Sequence, residues 1–270
     1  MSSADSSYGT KLVELGRSVP RLAAALQQAE RHRTERVAAL VGGARFRGLD
    51  ELLRHLDELF HAFNADPIFR RISFLIDRSR ADVETAIESI LSGYLAVAAD
   101  VMRDVMEIQN LLLDFAVNPA HIDEWLTAED GRTGLGKFRA ARVRNRLHAA
   151  GEEPYATTSE SPYYRSHSEA MHVNPRQEHR RGFSTKHYLW HGDEGFWDLF
   201  EHTGPLKHAI QRLTGALAPG SAADQLVSQH LSDVEEAWQR TQDMKAIHLA
   251  LLEAIAKTQA EDEETADLST

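Results

Sequence analysis

The densest chemistry in the chain lies in YYRSHSEAMHVNP, Tyr163 to Pro175, which holds two histidines, an arginine and a glutamate. A histidine titrates near neutrality and can act as a general base, while an arginine carries a permanent cation for phosphoryl oxygens. Together they could cleave RNA through its own 2′-hydroxyl without a metal ion. In that assignment His172 is the base, Arg165 stabilises the phosphoryl charge, and Glu169 orients one of them. The spacing allows it: Ser161 can cap a helix, Pro162 can sit in its first turn, and Asn174 must leave it before Pro175. On such a helix Arg165, Glu169 and His172 fall within about 60° of one another, with Tyr164, His167 and Met171 on the other side. His167 therefore reads as a packing histidine. The polar stripe also fits a plain surface pair, Arg165 with Glu169 at i,i+4, with His172 solvated beside it.

Other constellations compete. Glu58 with His61, and Glu169 with His172, have the Glu-x-x-His spacing of a carboxylate-bridged dimetal bundle, yet Glu58 lies about 160° from the centre of its helix's apolar face. His187 and His191, in STKHYLWHGDEGFW, stand four apart ahead of Asp193 and Glu194 and form an alternative single-metal site, with Gly192 leaving the geometry unset. His230 and His248 share a helix side with Leu231, Val234, Leu252 and Ile255, which makes them core or interface histidines. TGLGKF lacks the spacing of a phosphate-cradling loop. No cofactor is expected.

Charge points the same way as the histidines. The formal net charge is −11, but between Asp130 and His191 eleven Lys/Arg face six Asp/Glu. That segment suits an anionic partner, RNA or another phosphate-containing ligand, with Arg142, Arg144 and Arg146 as candidate phosphate-binding residues. It equally suits a basic loop region that neutralises an acidic helical body. The absence of cysteine excludes disulfides, thiolate zinc sites and a cysteine nucleophile. No apolar run approaches the roughly 18 residues of a membrane span, and MSSADSSYGT lacks the marks of a signal peptide. A cytoplasmic location with no membrane partner is the expectation.

Helices must position these groups. Leu49, Leu52, Leu53, Leu56, Leu59, Phe60 and Phe63 recur at three- and four-residue intervals, which predicts an amphipathic helix over 49–63. An earlier helix is predicted from Pro20 to Val41, ending at Gly42-Gly43. From Ser79 to Val117 one stripe (Val83, Ile87, Ile90, Tyr94, Val97, Val101, Val105, Ile108, Leu112, Phe115) and a second arc (Leu91, Leu95, Met102, Met106, Leu113) predict one long central helix that ends at Asn118-Pro119. Short helices are predicted over 119–126 and 138–149, another from Pro205 to Leu217, and a long one over 224–257. The reading is an all-α helical bundle with a long central helix and a loop-rich His/Tyr/Arg insertion before the last helices. Its parts are an N-terminal segment 1–19, a single bundle domain 20–260 that contains the basic insertion 130–204, and an acidic tail 261–270 expected to be disordered. Self-association through exposed faces of the long helices is expected.

Arg165 and His172 fit the arginine, four to six residues, histidine motif of HEPN-type helical domains. Arg103 and Glu107 in VMRDVMEIQNLLLDF, the segment IDEWL, the basic helix VRNRL and YYRSHSEAMHVNP also follow a layout that resembles bacterial helical proteins near that superfamily, over about residues 83–175. The resemblance implies a phosphate- or RNA-directed protein, a metal-independent ribonuclease of a defence, toxin or abortive-infection system. Five arginine–histidine pairs of this spacing occur in the chain, so the pattern selects by geometry: Arg165 and His172 share a helix face, while Gly182 interrupts the pairs ending at His187. The competing expectation is a non-catalytic helical interaction or scaffold protein.

Overall fold

Each helix is an apolar stripe that needs a neighbour, supplied in some cases by the next helix along the chain and in others by a distant one. The computed structural model describes residues 3–128, 135–152, 188–244 and 246–247, and among them it is all helical. Helix α1 (Ser3–Ser18) packs on α2 (Pro20–Leu40), which starts on its proline and stops before Gly42. Helix α3 (Ala44–Ala65) buries the predicted leucine and phenylalanine face. A 3₁₀ turn (Arg70–Ile72) leads into α4 (Ser73–Ser92), followed by α5 (Leu95–Val117) and α6 (Ala120–Leu126). A second 3₁₀ turn (Leu135–Phe138) precedes α7 (Ala140–Ala149); then come α8 (Tyr188–Leu217), α9 (Ala222–Val227) and α10, residues 232–244.

The predicted long helix over 79–117 is two helices. Gly93 has φ 89°, its N–H bonds to the Ile90 carbonyl at 3.3 Å, and the Tyr94 N–H reaches the Ser89 carbonyl at 2.7 Å. That is a left-handed glycine stop of the Schellman type, and the chain turns back so that α4 and α5 pack together. The two stripes happen to run in phase across the turn, which hid the break; two members just after it, Tyr94 and Val97, are exposed. A residue with a Cβ is disfavoured at this φ, so Gly93→Ala is expected to cost about 1–2 kcal/mol. Urea unfolding followed by circular dichroism measures it, and a change within error would show that the turn tolerates a side chain.

Helix α5 is the centre. It packs against α4, α7 and α8, and buries Met102, Val105, Met106, Leu112, Leu113 and Phe115. Helix α8 corrects the expectation that 188–204 is irregular, because it runs unbroken through Pro205. Burial of Phe196, Leu199 and Phe200, each contributing about 1.5–3 kcal/mol, outweighs weak local periodicity and the missing proline donor. The long last helix predicted over 224–257 is broken too: residues 228–231 separate α9 from α10.

Helix α10 is fastened to α3. The Glu51 carboxylate accepts the Asp233 N–H at 2.8 Å and the Val234 N–H at 3.0 Å, capping the positive end of α10. Arg47 binds Glu236 at 2.8 Å, and Arg45 Nε donates to Thr241 Oγ1 at 3.3 Å. Gly48 makes the close approach possible, since a Cβ there would stand 2.4 Å from the Ala237 Cβ.

Candidate functional site

Arg165, Glu169 and His172, with His167 and His187, lie outside the described residues, and so does the side chain of His191, whose backbone is in the first turn of α8. Helix α7 carries the other predicted site residues. Arg142 is exposed, Arg144 is buried, and Arg146 is half-buried. The three candidate phosphate-binding arginines thus differ in exposure.

Arg146 is committed to a carboxylate instead. Asp114, almost wholly buried on α5, accepts Arg146 Nε on Oδ1 at 2.8 Å and Arg146 Nη2 on Oδ2 at 2.7 Å. His121 of α6 brings Nδ1 to the same Oδ2 at 2.9 Å, so Nδ1 carries the proton and donates. Arg146 Nη1 donates to the Lys137 carbonyl at 2.8 Å, and the Phe138 ring lies 5.5 Å from the guanidinium. One carboxylate thereby ties α5, α6, the second 3₁₀ turn and α7 together. An Asp–His pair is a familiar device for orienting a base, but here a bidentate arginine shares the carboxylate and the histidine is buried against Phe138. The arrangement holds helices in place.

Two to three turns closer to the start of α5, Arg103 Nε donates to Glu107 Oε1 at 3.2 Å. Glu107 and Asn110 border a cleft of about 400 Å³ walled by Trp125, Phe138 and Phe74, with Phe74 stacked on Trp125 at 5.8 Å. At its edge Arg78 is held by Asp82 at 3.0 Å and Asp104 at 2.5 Å. Of the metal alternatives, only Glu58 and His61 lie wholly among the described residues: Glu58 is taken by Arg54 at 2.6 Å, and His61 points to solvent. Among the described residues no three His, Asp or Glu side chains gather where they could share a metal ion.

A larger cleft, about 540 Å³, opens between α3, α8 and α10. Its floor is His55, only 3% exposed, flanked by Leu52, Leu56 and Leu59 on the buried face of α3. Among the described residues neither ring nitrogen of His55 has a hydrogen-bond partner. Burial pushes its pKa down to about 4, with the nearby Lys207 ammonium adding to the effect, so the ring is neutral at pH 7. Lys207 donates to the Gln229 carbonyl at 2.6 Å. Where α8 borders the cleft, Pro205 has no N–H to return to the Glu201 carbonyl. His230, expected in the core or at an interface, lies on the exposed rim and not in the core, 3.3 Å from Glu235. His55 was missed in the sequence because it sits within a leucine stripe; the signal was a histidine three residues after Leu52 and four before Leu59.

No helix among the described residues is long and apolar enough to cross a membrane. Comparison of the chain with family models, with curated proteins and with solved structures finds no match in any of the three.

Proposed function

We propose that this chain is a non-catalytic helical protein that binds a small apolar ligand in the cleft between α3, α8 and α10. The observation that carries this reading is the buried imidazole of His55, without a partner among the described residues, facing a cleft of about 540 Å³. A ligand pocket is typically about 300–1,000 Å³, mostly apolar, with a few convergent polar groups. A buried polar group without a partner costs about 1–3 kcal/mol, and a ligand that completes the bond recovers it. The test is titration of the purified chain with 1-decanol, followed by thermal shift and tryptophan emission. Saturable binding that Leu231→Trp abolishes, by filling the cleft, supports the reading; no saturable binding sinks it.

A separate proposal is a HEPN-like, metal-independent ribonuclease, with Arg165 and His172 acting on RNA. It is favoured by the exposure of Arg139 and Arg142, which leaves two guanidinium groups of the basic segment open to phosphate. Cleavage of RNA by purified protein in EDTA should then be lost in His172→Ala while helical circular dichroism is kept. Absence of cleavage by the wild type, or equal cleavage by the variant, ends that proposal.

A further inference from the structure

The ligand-cleft reading can be carried to a chemical class. We infer that the α3–α8–α10 cleft takes a monocarboxylate with an apolar body, its head accepting from Lys207 Nζ and from the N–H of His55, its body lying against Leu56, Phe200, Val234 and Trp238. This inference rests on the reading of the cleft as a ligand site.

Three features lead to it. The neutral imidazole offers one donor and one acceptor nitrogen, both unmet among the described residues, so the ligand must bring a polar atom to a floor otherwise formed by leucines. The charge felt most strongly at that floor is the Lys207 ammonium, which favours an acceptor carrying negative charge. Lys207 has no carboxylate within ion-pair distance among the described residues; its one bond is to the neutral Gln229 carbonyl, which leaves donors to spare on the ammonium. The other charged groups on the cleft narrow the class. Glu201 and Glu235 also border it, with Glu235 at the rim beside His230. Their charges disfavour a phosphate dianion, which needs more than one cation. A head with one negative charge and two acceptor oxygens matches one ammonium and one imidazole N–H. The acidic rim then disfavours deep entry of anything with a second anionic group, so the far end of the ligand is uncharged.

The experiment compares decanoate, below its micelle concentration, with 1-decanol, by calorimetric titration of the full chain at pH 7.5. Decanoate is expected to bind at least tenfold more tightly than decanol. Lys207→Met should erase that preference, weakening decanoate at least fivefold more than decanol, whereas a merely structural role for Lys207 would weaken both alike. His55→Leu should weaken decanoate several-fold more than decanol. If decanol binds as tightly as decanoate, the cleft remains a ligand site and the carboxylate class is overturned. If neither binds, the ligand reading falls with it. If neither binds and Leu231→Asp converts a dimer to a monomer in light scattering, the occupant is a second copy of the chain and the inference is likewise overturned.

Discussion

Asp114→Ala is expected to lower the unfolding free energy by about 3 kcal/mol, the low end of what removing one partner from a buried pair costs. The low end applies because Arg146 keeps 29% of its side chain exposed and can recover some hydration, whereas Asp114 keeps 2%. The loss falls on two groups at once, since both the Arg146 guanidinium and the His121 Nδ1 give up their acceptor. Urea unfolding should show a lower midpoint at unchanged slope. A double-mutant cycle separates the pair from its surroundings: Asp114→Leu with Arg146→Met should be more stable than Asp114→Ala alone, because no buried charge is then left unmatched. If the double variant is the less stable, the ion pair itself contributes more than the helices it joins, and the account given for this cluster is wrong.

His55→Leu is expected to stabilise the protein, by about 1–3 kcal/mol at pH 7, through removal of an unsatisfied buried group from an apolar wall. The pH dependence is the sharper test. The folded ring takes a proton only at about pH 4, whereas in the unfolded chain it does so near the ordinary 6.5. Between those values the unfolded state binds more protons, so acidification favours unfolding. Integrated over that window the contribution is about 3 kcal/mol, fully present above pH 6.5 and lost as the pH falls to 4. His55→Leu should therefore lose less stability than the wild type between pH 7 and pH 4, by roughly that amount, in chemical denaturation at a series of pH values. Parallel curves would mean that the imidazole is hydrated or paired, and the cleft floor would then be wrongly described. A stabilising loss of a conserved-volume polar group is also what a site selected for binding rather than for stability would show.

Helix α3 was legible because its leucines recur at the helical period and no neighbour can change which face is apolar. The start of α2 at Pro20 and its stop before Gly42 were legible for the same local reason. The break at Gly93 was not, although Ser-Gly-Tyr is a fair glycine stop, because two stripes in register look like one long one. The first half of α8 was hidden by its glycines and Pro205; it is helical because α5 offers a surface for Phe196, Leu199 and Phe200. Among candidate site residues, Arg146 looked like its neighbours Arg142 and Arg144. Only folding brings it to a carboxylate 32 residues earlier.

The sequence by itself determined the all-α class, the helix faces that must be covered, the absence of thiol chemistry and the basic character of the central segment. Those follow from residue type and short-range spacing. The tertiary structure alone decided that α4 and α5 form a hairpin, that Asp114 joins three helices, and that His55 lies under a cleft closed by α8 and α10. Such pairings depend on which distant stripes meet. Burial, not local pattern, sets the charge state and availability of the groups they enclose.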